Sequence, residues 1–265
     1  NGVAPLAGLS LGALGCGLLV QRAPAPSSLV FVILLVALAG SAVAVYLSPE
    51  TSKLRPGARA SLRPRVGLPE RLRKDMLAVT PILIASWSLG GLYMSLGPSV
   101  ASDVLGVGSR LTGGLVVAAL CGTGALAAYG FRDRDTRDVL RIAAVFLVAG
   151  MAVTLLGLDL ELMILALAGT IVAGIGFGAA ALGGFGTLAR VADPSERGEV
   201  FALAYVLSYL AFSLPAIAGG FAATSFGLRS TSLVYGAAIA LISLLALASA
   251  QLQHRERRRA CSAEA

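Results

Sequence analysis

Apolar residues fall in eight long runs separated by short polar punctuation. No charged side chain occurs in 2–20, 23–49, 76–102, 111–131, 142–158, 162–189, 200–228 or 230–254. A helix needs about 20 apolar residues, within roughly 17–25, to cross the hydrocarbon core of a bilayer. Each run is near or above that length. Backbone polar groups in hydrocarbon must be satisfied within the segment, so helices are the expected element. A transmembrane barrel would alternate apolar and polar residues in short segments. The stretch LVFVILLVALAGSAVAV (29–45) has no such period. The pattern predicts an all-α integral membrane protein with eight transmembrane segments.

Composition agrees. Hydrophobic residues make up 57% of the chain and charged residues 13%, against roughly a quarter charged in soluble domains. The net charge of +7 would suit nucleic acid, but its distribution points elsewhere. With the N-terminus placed in the cytoplasm, 18 of the 21 basic residues fall on inward loops or the tail, leaving only Arg22, Arg110 and Arg229 outside. That is the positive-inside bias holding at every loop. It predicts both ends of the chain in the cytoplasm of a cell (inner) membrane. The basic charge then faces anionic lipid, and no nucleic-acid partner is expected.

Cysteine and histidine exclude some chemistry. Cys16, Cys121 and Cys261 show no pairing or metal-ligand spacing, and Cys261 is misplaced for a prenylation box. The only histidine, His254, sits at the tail boundary, so no histidine is available for a site inside the membrane. Segment one followed by Ala23-Pro24-Ala25 faintly resembles a signal peptide, but a basic n-region is missing. The expectation is a chain that begins within a longer protein.

Residues 48–75 are polar, with eight basic residues against three acidic. This long basic connector divides the chain into two helices (1–47), a linker (48–75), six helices (76–252) and a tail (253–265). Shorter loops carry readable turn chemistry. Asp193-Pro194-Ser195-Glu196 predicts a capped start of segment seven near residue 194. Pro215 lies deep in that segment and should kink it. Leu96-Gly97-Pro98 should break or end segment three. The pairs Gly8/Gly12 and Gly174/Gly178 have the spacing of close helix contacts.

No Asp, Glu, Lys or Arg lies in the middle of a span, although such residues mark proton relays in many pumps. Protons remain the candidate coupling ion, with Asp103 at the outer end of segment three the one acid near a span. Clustered carboxylates for a hard cation are missing too. Asp133, Asp135 and Asp138 alternate with Arg132, Arg134 and Arg137 and read as internally paired. No metal, cofactor or enzymatic activity is expected. A central cavity without charge must be lined by aromatic and hydroxyl groups, which suit a neutral or amphipathic ligand. Segment three offers Trp87, Tyr93 and Ser95. Segment seven offers Tyr205, Tyr209 and Ser213, which share one face at four-residue spacing.

Two helices, a long basic loop and six more helices resemble helices five to twelve of the major facilitator superfamily, whose members join two six-helix halves by such a loop. Gly8-x3-Gly12-Ala-Leu-Gly15-Cys-Gly17 resembles the glycine-rich fifth-helix signature of exporters, with Ala13 where that signature has proline. Asp133-Arg134-Asp135-Thr136-Arg137 resembles the D-R-x-G-R loop between helices eight and nine, with Thr136 in the glycine's place. Pro49-Glu50-Thr51 and Pro194-x-x-Arg197-Gly198 resemble further family punctuation. The resemblance implies alternating access about a midplane site, and efflux of a small molecule. It also implies that segments three and seven approach the cavity and that Asp133, Arg134 and Arg137 form a cytoplasmic gate. Two rivals stay open: a secondary transporter of another fold, and a membrane scaffold or assembly protein that moves nothing.

Overall fold

Each apolar run becomes a helix. The structure, a computed structural model, describes residues 2–23, 25–50, 67–106 and 110–263. In chain order the long helices are α1 (Val3–Arg22), α2 (Pro26–Leu47), α3 (Arg73–Ser95), α4 (Arg110–Gly130), α5 (Thr136–Asp159), α6 (Met163–Val191), α7 (Arg197–Phe226) and α8 (Leu228–Ala263), with a short helical stretch over Gly97–Ser99 and Val100–Val104 after α3. All eight are long and apolar enough to span a membrane, and no strand occurs among the described residues. Most of the expected linker, 51–66, lies outside those residues. Two boundaries differ from expectation. α3 starts at Arg73, after a 3-10 turn at Glu70–Leu72. α8 runs on to Ala263, past the expected boundary at 252, because the Gln-, Glu- and Arg-rich segment after residue 250 consists of good helix formers.

α1 packs mainly on α4 and more lightly on α2. α2 packs on α1, and none of its described residues is buried. α1 runs antiparallel to α4 along a seam of small residues. Ser10 Oγ donates to the Ala118 carbonyl at 3.1 Å, a Cβ on Gly114 would stand 2.5 Å from the Ala13 carbonyl oxygen, and Gly17 faces Leu111. The expected close contact at Gly8 and Gly12 is not made, since neither would place a Cβ within 4 Å of another element. The helix meets α4 on the face of Ser10, Ala13 and Gly17, which leaves the other two glycines open.

Among α4, α5 and α6 glycine decides how close the helices come. Gly150 and Gly157 of α5 lie against the backbones of Ala173 and Ala166 of α6, while Gly176 of α6 faces the Leu147 backbone. Gly174 and Gly178 make the close contact their spacing predicts, against the Leu120 and Gly124 carbonyls of α4. α3 packs on α6, α7 and α8, and α8 also packs on α5. Ile82, Leu89, Leu147, Met151 and Ile239 meet in the core between them.

The loops gather alternately at two ends. At the basic end, Arg71 pairs with Asp193 and Glu196 and donates to the Val191 carbonyl at 3.2 Å. This replaces the side-chain cap expected before segment seven. α7 begins at Arg197 with no side-chain cap, because a guanidinium offers these two carboxylates a stronger partner than a backbone N–H does. At the opposite end Arg229 ties the α7–α8 junction to the α5–α6 turn through Asp159 at 3.2 Å and Glu161 at 3.5 Å.

Candidate binding surface

Aromatic residues on α3, α6 and α7 form a continuous track. Phe201 lies 5.9 Å from Phe185, Phe185 4.9 Å from Tyr205, Tyr205 6.3 Å from Tyr209, Tyr209 5.1 Å from Trp87, and Trp87 6.5 Å from Phe212, all between ring centroids. These separations lie in the range where offset and edge-to-face ring pairs attract, roughly 4.5–7 Å. On α7 the rings follow helical spacing, because Phe201, Tyr205, Tyr209 and Phe212 are four, four and three residues apart. From the first to the last, the track extends about 16 Å along the helix at 1.5 Å per residue. Its middle is open: Tyr205 is 44% exposed and Tyr209 60%. Neither 76–95 of α3 nor 200–226 of α7 contains a charged residue.

The track stands on an unusual junction. Pro215 has no N–H to give the Ala211 carbonyl one turn earlier, yet α7 continues through it. Ser88 of α3 supplies the missing donor, its hydroxyl bonding to the Ala211 carbonyl at 2.9 Å. Tyr235 of α8 in turn donates to the Ser88 carbonyl at 3.1 Å. Beside them a Cβ on Gly91 would stand 2.5 Å from the Phe212 carbonyl oxygen, so α3 and α7 touch backbone to backbone. Ser88→Ala should leave the carbonyl without a donor in an apolar setting and cost about 1–3 kcal/mol. Thermal unfolding of the purified variant measures this. An unchanged midpoint would show that the Ser88 bond contributes nothing to the junction.

The sequence-predicted residues divide accordingly. Trp87, Tyr205 and Tyr209 come together on the track, and Ser213 is one turn further on, its hydroxyl donating to the Tyr209 carbonyl at 2.8 Å. Ser95 likewise bonds within its own helix, to the Gly91 carbonyl at 2.6 Å. Tyr93 does not join them. It is 5% exposed, on another face of α3, and its hydroxyl meets those of Thr154 at 3.1 Å and Thr170 at 3.0 Å. Six residues, about 600° of helical rotation, separate it from Trp87, so the two side chains point about 120° apart. Sequence reasoning missed Phe185, Phe201 and Phe212. The spacing of the last two with the tyrosines was legible; Phe185 comes from another helix and gave no such signal.

The α4–α5 loop pairs locally. Arg132 meets Asp133 at 3.4 Å, the Arg134 guanidinium lies 5.8 Å from the Phe131 ring, and Asp135 caps α5 by accepting from the Arg137 backbone N–H at 2.8 Å. Asp103 is exposed and accepts from Ser102 at 2.6 Å. Among the described residues no group of three or more His, Cys, Asp or Glu is placed to hold a metal ion. No protein-family model matches the chain, and no curated protein is significantly similar to it.

Proposed function

We propose that this chain is part of a secondary active transporter of the major facilitator kind. It exports a small neutral or amphipathic molecule by alternating access, with the basic end in the cytoplasm. The aromatic track carries this reading. Six rings lie along a membrane-spanning surface that is partly open and free of charge, which suits an apolar or flat ligand held by stacking rather than by ion pairing.

The helix pairing supports it. Exchange α3, α4 and α5 for α6, α7 and α8, and the α3–α7 contact maps onto α6–α4, and α3–α8 onto α6–α5. The exchanged helices run in opposite directions, a pattern that suits the inverted three-helix repeats of such transporters. The α1–α4 seam gives α1 and α2 a smooth, small-residue surface on which to move against α3–α8. In this reading Asp133, Arg134 and Arg137 are the cytoplasmic latch, whose cross-loop partners form in the other access state.

Trp87 is the only tryptophan in the chain, and it sits on the track, so its fluorescence reports the site directly. A flat aromatic ligand recognised by this surface should quench Trp87 emission saturably in the reconstituted protein. Candidate ligands found this way should also be moved across the membrane. Quenching that rises linearly with ligand, without saturation across a broad panel, would count against a binding role for the track.

A further inference from the structure

A cavity lies at the basic end. This cleft of about 380 Å³ opens between α3, α5, α6 and α8. That volume is within the range of small-molecule sites, roughly 300–1,000 Å³. Its lining includes Arg137, Arg141, Arg190, Asp75 and Asp135 together with apolar residues such as Ile82 and Ala144.

The charges in the cleft are poorly matched among themselves. The side chains of Arg137 and Arg190 form no ion pair with a described residue, and Arg141 reaches only Asp138, at 3.8 Å. Asp135 is already engaged in capping α5, which leaves Asp75 as the one other carboxylate lining the cleft. Three arginines line the cleft, and their guanidiniums, planar forks of donors, suit the tetrahedral oxygens of a phosphate. Basic pockets between transmembrane helices take phosphate-bearing head groups in the same way. The apolar residues lining the same cleft would accommodate the glycerol or alkyl part of such a ligand.

We infer that this cleft binds a phosphate-bearing anion through Arg137, Arg141 and Arg190. The inference is independent of transport by the aromatic track. The phosphate belongs to an anionic lipid or to a soluble phosphate ester, and binding measurements separate the two. The protein is reconstituted in phosphatidylcholine nanodiscs and titrated in one arm with phosphatidylglycerol and in the other with glycerol phosphate. Saturable stabilisation against heat in the lipid arm alone assigns the head group; saturable stabilisation by glycerol phosphate assigns a soluble ester. No effect in either arm overturns the proposal.

Arg137→Gln combined with Arg190→Gln should weaken the apparent affinity about tenfold or more, since hydrogen bonds to a charged group are lost. Arg73→Gln, outside the cleft, should leave it unchanged and so separates the site from general attraction to basic loops. Asp75→Asn should tighten binding, because it removes the opposing carboxylate. This arm decides the matter should the double arginine variant fail to fold. Retained affinity in a folded double variant, or weaker binding by Asp75→Asn, would overturn the inference.

Discussion

Alanine at Gly178 is expected to destabilise the protein by about 3 kcal/mol, the upper part of the range for forced overpacking. The added methyl would overlap the Gly124 carbonyl oxygen, and its other near neighbours there are also Gly124 backbone. No flexible side chain can yield, so α4 and α6 must separate along their shared seam. Gly174, one turn earlier, holds the same seam, with a Cβ 2.6 Å from the Leu120 carbonyl oxygen. In a membrane this matters more than in water, because lipid replaces lost helix contacts without a hydrophobic penalty and little drives the helices back together. The apparent melting midpoint of the purified variant should fall by about 10 °C, at 2–4 °C per kcal/mol for a chain of this size. Gly40→Ala is the matched control. No atom lies within 4 Å of a Cβ there, so that change should be neutral or mildly stabilising through helix propensity. Equal midpoints for the two variants would mean that α4 and α6 are not in backbone contact at Gly178.

The same glycines show what a sequence can and cannot convey. Four-residue spacing marks Gly8/Gly12 and Gly174/Gly178 alike as candidates for close approach. Only the second pair has a helix in front of it. Spacing says which residues share a face, and the neighbour that occupies that face is set by tertiary contacts far away in the chain. The Asp193–Glu196 turn makes the point through charge. Locally it reads as a capping motif, yet both carboxylates pair with Arg71, more than a hundred residues earlier. By contrast, the number of membrane-length helices was fully legible. The need to satisfy each backbone group within its own segment is a local constraint, and charge-free runs report it directly.

The candidate site was legible to the same extent. Tyr205 and Tyr209 follow the helical period of α7, so their common face needed no structure. That Trp87 reaches them from α3 while Tyr93 turns inward to Thr154 and Thr170 depended on how α3 is rotated against its neighbours. Ser88 had an indirect signal. A proline within a span releases a carbonyl that some donor must satisfy, but sequence alone does not say which helix supplies it.

Removing the Tyr209 ring should have the largest effect on ligand binding. This ring is at the centre of the track, edge-on to Trp87 at 5.1 Å and stacked with Tyr205 at 6.3 Å. It is also the more exposed of the two tyrosines, at 60%, so it offers most of its face to an incoming molecule. Its hydroxyl makes no hydrogen bond with a described residue, so under the proposed function the aromatic face is the part that would recognise a ligand. Tyr209→Ala removes that face and one wall of the Trp87 contact. The dissociation constant read from Trp87 quenching should rise about thirtyfold, equivalent to about 2 kcal/mol. Tyr209→Phe keeps the ring and should stay within about threefold of the parent, or under 1 kcal/mol. Transport of the same ligand should follow the same order, with alanine severely impaired and phenylalanine near normal. A phenylalanine variant as weak as the alanine variant would move recognition from the ring to the hydroxyl. Parental affinity and flux in both variants would mean that Tyr209 faces lipid or another helix and that the ligand surface lies elsewhere.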